Sequence, residues 1–319
     1  MNAFEYIIKT CIDITKKKIL IIFDYTTEEL VGLLECAIVN ENKVCEKIRI
    51  DIAYRHGEEP TIQIREKMLM VNAIICMTRY SLAHTEARRL SEKRGIAFLS
   101  MPEYDKSMIK NPAIFVDYVS KIPQVRKYAD MLSWGKTLEI TSQKGTYLFM
   151  DITERRGNCC PGLTNNEFLL GSPPDIEANI APREKETYGK LIIDGSVTDR
   201  RIGLILEPIQ MDIQEGLIRN ISSNNVEVEK KVKKIIRDVG NLNAYIIGEF
   251  GIGFNDCAKL CGNMLIDEGT LGCVHFGVGS NWTIGGENKV NFHLDFVLKD
   301  ANVFIDHRMV IREGKILYE

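Results

Sequence analysis

Between Lys18 and Ser100 the chain alternates between two textures, and that alternation limits the folds open to it. Lys18-Ile19-Leu20-Ile21-Ile22-Phe23-Asp24 is an almost unbroken apolar run of strand length. A strand apolar on both faces must be covered on both, which is the situation of a parallel sheet between helices. Thr26-Thr27-Glu28-Glu29 follows as a helix start, and apolar residues recur at helical spacing through Val39. Lys47–Ile52 then alternates like a strand, and Met70–Met77 is a second buried run. His84–Leu90 opens a polar-faced helix ending near Gly95, and Ile96–Ser100 is the next strand. This order predicts a doubly wound α/β N-terminal domain. The region carries neither a GxGxxG fingerprint nor a P-loop, so no nucleotide is assigned to it.

From about Lys136 the chain becomes β-rich, with Gly, Pro and Asn between segments. Lys136–Ile140, Thr146–Ile152, Lys190–Asp194 and Ile202–Pro208 read as strands. Val226–Arg237 has valines and isoleucines at helical spacing and reads as an amphipathic helix with a solvated basic face. The expectation is therefore an α/β domain over residues 1–122 and an α+β metal-binding, catalytic domain over 123–319, joined near Ile122-Pro123.

Composition excludes some partners. A formal net charge of -3 gives no bulk electrostatic case for nucleic acid. No apolar run approaches the roughly 20 residues of a membrane helix, and Met1–Tyr6 has no basic flank or signal-peptide core. The nine cysteines include no CxxC pair, and Glu35-Cys36-Ala37 and Ile75-Cys76-Met77 lie in apolar surroundings. Reduced, buried thiols in a cytoplasmic protein are expected. Cys159-Cys160 and the Cys257/Cys261 spacing lack the tight knuckles of structural thiolate sites.

The chemistry concentrates near the C-terminus. Of five histidines, His275 and His293 fall within one nineteen-residue window. In Val290-Asn291-Phe292-His293-Leu294-Asp295-Phe296, His293 and Asp295 stand two apart and so share one face of a strand. They make either a hydrogen-bonded surface pair or two ligands of one metal. His275 sits in Cys273–Gly279, another strand-like run, which ends in glycines, and Ser280–Asn288 is long enough to let the two strands pair. Two histidines and a carboxylate suit Zn²⁺, Mn²⁺, Co²⁺ or Fe²⁺. Glu249 ends the apolar run Ala244–Gly248 amid glycines that allow close approach of a ligand; the alternative is a strand-end acid facing water. Glu177 lies in a proline-bounded loop, where a solvated acid is the alternative.

The succession Pro174-Asp175-Ile176-Glu177, Ala181-Pro182, Leu191–Ser196, Gly248-Glu249-Phe250-Gly251-Ile252-Gly253, Gly272–Gly279 and His293-Leu294-Asp295 resembles the aminopeptidase T family of metallopeptidases, in that family's order. Ser81–Arg88 resembles a piece of its N-terminal domain. The resemblance implies that Glu177, Glu249, His275, His293 and Asp295 hold two metals (Zn, Co or Mn). It implies that Glu177 or Glu249 bridges them or acts as base, and that the chain is a homodimer cleaving an amide in a small peptide or amino-acid derivative with metal-activated water. The chain departs from the peptidases in being shorter between His275 and His293. It also has Trp282 where they carry a tyrosine near the metals, and it lacks the glycine before the first glutamate. The same superfamily includes enzymes resembling 2,5-dihydroxypyridine 5,6-dioxygenase, which hold a single Fe(II) with two histidines and an aspartate. That resemblance implies His275, His293 and Asp295 as ligands, with Glu177 and Glu249 orienting them or handling protons. A third reading is a pathway-specific hydrolase or lyase acting on a modified amino acid, in which Trp282 would stack on a planar substrate.

Overall fold

The computed structural model describes residues 1–13 and 15–317. The chain divides into two compact units, Met1–Lys121 with Cys160–Ile176, and Ile122–Cys159 with Glu177–Glu319.

The first unit is built on a five-stranded sheet in the order Val44–Arg49, Lys18–Phe23, Ala73–Met77, Ala97–Ser100, Leu170–Gly171, parallel at every pairing. The sequential order reverses between the first and third of these strands. Right-handed crossovers on either side of that reversal must lie on opposite faces, which makes the layer doubly wound. Leu20, Ile22, Ile74, Cys76 and Phe98 pack on one face with Met68, Leu82 and Ala87 from the crossovers. The expected apolar helix forms over Glu28–Asn40 and the polar-faced one over Glu86–Lys93. Thr85 caps the latter through Arg88 N.

The second unit carries two sheets. In the eight-stranded one every pairing is antiparallel; it runs from Leu217–Ser223 at one edge to Lys315–Ile316 at the other. The helix Val226–Arg237 forms as its periodicity requires, with Val232 and Ile236 buried. The seven-stranded sheet has the order Gly203–Leu204, Ser196–Val197, His293–Leu298, Val274–Gly279, Ile247–Gly253, Glu177–Ile180, Asn158–Cys160. Phe250, Phe276 and Phe296 stand opposite one another on its three central strands and are fully buried, so one face of this sheet is core.

Several expectations need correction. The segment Cys160–Ile176, read as part of the second domain, groups with the first unit, where Leu170–Gly171 adds a short parallel edge strand beside Ala97–Ser100. The join expected near Ile122-Pro123 falls within a helix: Tyr118–Trp134 is one helix with Pro123 inside it. Ile202–Pro208 is strand only at Gly203–Leu204; Gly203 has φ +66 and turns the chain, and Leu206 is exposed. Cys36 lies on the solvent side of its helix, while Cys11, Cys76 and Cys273 are buried. Among the described residues no helix is long and apolar enough to cross a membrane.

Candidate metal centre

The second face of the seven-stranded sheet is not core. Residues directly opposite each other across a ladder point to the same side, as do residues two apart along a strand. Gly277 pairs with both Glu249 and Asp295, Gly251 pairs with His275 and Asn179, and Gly253 pairs with Glu177. His293 pairs with Gly279. The five expected donors therefore share one face of four adjacent strands, with glycines between them. Two expectations about context change. Glu249 is the third residue of the strand Ile247–Gly253, not its end, and Glu177 opens a strand instead of sitting in a loop.

The glycines make the room. A Cβ built on Gly251 would lie 2.1 Å from His275 Nε2. One on Gly277 would lie 2.6 Å from His293 Cε1, 2.7 Å from Glu249 Cβ and 2.9 Å from Asp295 Oδ1. Such contacts are too short for any side chain, so only glycine lets the donors converge.

Their nitrogen and oxygen atoms do converge. His293 Nε2 is 3.0 Å from Asp295 Oδ1 and 3.2 Å from Glu249 Oε2. His275 Nε2 is 2.9 Å from Glu177 Oε2 and 4.0 Å from Glu249 Oε1. The donors fall into two groups, Glu177–Glu249–His275 and Glu249–His293–Asp295, each with its ligand atoms within 4.8 Å of one another. Glu249 belongs to both. The cysteine pairs belong to neither.

The residues present fit a divalent cation. Imidazole and carboxylate are the donors such ions take. Glu177 Oε2 is buried 2.9 Å from His275 Nε2. A carboxylate oxygen taken out of water in this way needs a cationic partner. Three carboxylates around two imidazoles also leave excess negative charge. Burial alone would lower the His275 pKa; Glu177, with Glu249 and Asp295, overcomes it and pushes the imidazole up to about 9. His293 is raised well above its ordinary value, Asp295 and Glu249 outweighing burial in the same way. Burial raises Glu249, against the pull of His293. Asp295 moves below the usual carboxylate range, because His293 more than offsets its burial.

Neighbouring groups hold the donors. His293 Nδ1 lies 2.9 Å from the Ser280 carbonyl, which can only accept, so Nδ1 carries the hydrogen and Nε2 is free to ligate. Asn179 Nδ2 donates to Glu177 Oε1 at 2.7 Å. Thr198 Oγ1 accepts from Asp295 N, and the Glu268 carboxyl hydrogen-bonds the Asp295 side chain. Asn179, Thr198 and Glu268 were not singled out from sequence. Only Asn179 leaves a signal there, standing two residues beyond Glu177 on the same strand face.

Trp282 is placed differently from the other expected site residue types. It begins the short 3-10 helix Trp282–Ile284 in the Ser280–Asn288 loop, is 41% exposed, and has the Lys289 ammonium 5.2 Å above its ring.

Residues 47–318 match the family model of 2,5-dihydroxypyridine 5,6-dioxygenase. A 2,5-dihydroxypyridine 5,6-dioxygenase of Pseudomonas putida is 24% identical over 147 residues, 43% of this chain and 41% of that protein. The matched stretch thus spans about two fifths of that relative's length. Among solved structures, 2,5-dihydroxypyridine dioxygenase from Pseudomonas putida KT2440 has a TM-score of 0.79 at 15% identity, covering 99% of this chain and 96% of that one. Wild-type AmpT from Thermus thermophilus has a TM-score of 0.66 at 13% identity, covering 99% and 98%. At such identities these likenesses establish the shared fold alone.

Proposed function

Because the chain belongs to the 2,5-dihydroxypyridine 5,6-dioxygenase family, we propose that it is an Fe(II)-dependent oxygenase that opens a hydroxylated aromatic ring with O₂. The aminopeptidase T resemblance then reflects a shared superfamily and fold, and amide hydrolysis becomes the second reading. The observation that carries the first is the presentation of His275, His293 and Asp295 from two adjacent strands of one sheet face, in a chain whose family is oxygenase.

In this reading His275, His293 and Asp295 would hold the iron, and Fe(II) bound there would supply the redox chemistry by which O₂ reacts with a hydroxylated ring. The protein's own groups do the rest. The Ser280 carbonyl keeps His293 in the tautomer that presents Nε2. Glu249, whose affinity for a proton is raised by burial, would take the proton of the ring hydroxyl at a carboxylate oxygen. The fully buried phenylalanine face beneath keeps the sheet stiff, so the donors do not drift. Trp282 offers an exposed indole on which a planar ring stacks.

The hydrolase reading keeps one specific support. Glu249 is common to both ligand groups, as a carboxylate bridging two Zn²⁺, Co²⁺ or Mn²⁺ ions would be.

The test is metal content and oxygen uptake on protein reconstituted anaerobically, with 2,5-dihydroxypyridine as first substrate. One iron per chain, with O₂ consumed in equal amount to substrate, is expected. Two equivalents of zinc, cobalt or manganese and cleavage of small amides without O₂ would overturn the oxygenase.

A further inference from the structure

We propose that Asn158 and Asn179 are positioning residues: a relay of two side-chain amides ties the Ser280–Asn288 loop to the metal-facing carboxylate of Glu177. This rests on the reading of the sheet face as a metal centre.

The relay is continuous. Asn158, on the edge strand Asn158–Cys160, donates from Nδ2 to the Ile284 carbonyl at 3.0 Å and to Asn179 Oδ1 at 2.9 Å. Asn179, on the neighbouring strand, donates from Nδ2 to Glu177 Oε1 at 2.7 Å. Asn179 is only 2% exposed.

The polarity of this chain is fixed at both ends. A backbone carbonyl can only accept, so Asn158 must turn its NH₂ toward Ile284. Its second hydrogen then faces Asn179, which must answer with its oxygen. That leaves the Asn179 NH₂ facing Glu177, whose Oε1 accepts from it. One oxygen of Glu177 is thereby fixed by the relay, and the other, Oε2, lies 2.9 Å from His275 Nε2. The relay thus sets the direction in which Glu177 Oε2 is presented to the metal-facing side of the sheet.

The same loop holds the opposite end of the donor set. Ser280 begins the loop, and its carbonyl orients His293. The loop itself has a defined shape. Asn288 N donates to Asn281 Oδ1, Asn288 Nδ2 donates to the Gly279 and Asn243 carbonyls, and Glu184 accepts from Asn281 Nδ2 and Glu287 N. Displacement of this loop by a ligand at Trp282 would therefore be felt at His293 directly and at Glu177 through two amides. Loop conformation and metal geometry become one variable.

The experiment is titration of metal-free protein with Co²⁺ alone, reading both affinity and the visible ligand-field spectrum, for wild type, Asn158→Ala, Asn179→Ala and the double variant. Thermal melts of the metal-free forms establish that each is folded. Loss of Asn179 is expected to weaken Co²⁺ binding by about 10- to 100-fold, as removal of groups that orient metal ligands does, and to alter the spectrum. Asn158→Ala should shift the spectrum in the same direction with a smaller loss. The double variant should match Asn179→Ala, since Asn158 acts only through Asn179. Additive losses, or weakened binding with an unchanged spectrum, would overturn the relay. So would a folded Asn158→Ala variant indistinguishable from wild type, even if Asn179→Ala fails to fold. A wild-type chain that takes up no Co²⁺ would overturn the metal centre itself, a different result from wild-type binding that the variants leave untouched.

Discussion

Gly277 is where the centre has the least slack. A methyl group there meets three donor side chains at once, all of them on the two strands that flank it. Gly277→Ala should cost about 1–3 kcal/mol of stability by overpacking and should lower metal affinity by at least about tenfold, in line with displaced ligands; urea unfolding and Co²⁺ titration measure the two. At His275 the expected response is to pH. Its pKa in the metal-free fold is about 9, against 6.5 ordinarily. A raised value means that the folded state binds the proton more tightly than the unfolded chain. The resulting stability is fully present below about pH 6.5 and is lost as pH rises through about 9. Metal-free protein should therefore lose stability from pH 6.5 to 9 in urea titrations, while Co²⁺ affinity, which needs neutral imidazole, rises over the same window. His293 and Asp295 were legible in the sequence as a pair because residue type and spacing two apart put them on one strand face, and His275 because the loop between lets its strand pair with theirs, whereas Glu177 and Glu249 joined them as one ligand set only through the family resemblance. Asn158 and Glu268 were not legible, since nothing in their local sequence separates a buried hydrogen-bonding partner from an ordinary polar residue.

The Ser280–Asn288 loop is the element on which the centre leans. Glu184 accepts from Asn281 Nδ2 and Glu287 N, and pairs with Arg155, which also donates to the Gly285 carbonyl. Glu184→Ala leaves those donors short of an acceptor, at a cost of about 1–3 kcal/mol. Faster hydrogen exchange at Asn281 and Glu287 amides, with the sheet unchanged, is the expected result. Burial opposes ionisation of Glu184, but the Glu287 amide, Asn281 and Arg155 outweigh it and pull the pKa down. Its contribution is therefore complete above about pH 4.5 and is lost in more acid solution. Strands with continuous or alternating apolar patterns were legible, as was the helix Val226–Arg237. The run Ile202–Pro208 was not, because an apolar string alone does not reveal a glycine at positive φ followed by an exposed leucine. Likewise Leu170–Gly171 is too short to show any period, so its place in the parallel sheet could not be read.

At the scale of the whole molecule, a metal held by these donors would be thermodynamically linked to the fold. The donors come from four strands of one sheet, so the unfolded chain has no comparable site. A cation present at 100 times its dissociation constant should then stabilise the protein by about 2.7 kcal/mol, seen as a higher urea midpoint with Co²⁺ than without. The α/β and α+β classes were readable because each follows from the order of textures along the chain; the choice between oxygenase and hydrolase was not, because the three ligands of the one reading are contained in the five of the other. That sheet has a kinetic consequence as well. Its donors run from residue 177 to residue 295, a separation of 295 − 177 = 118 positions, and contacts so distant in sequence close late in folding. During refolding, the cobalt spectrum should emerge after the far-ultraviolet signal of the strands. A nascent or half-folded chain would have nowhere to keep iron, and so would not expose its surroundings to unguided oxygen chemistry before the sheet is complete.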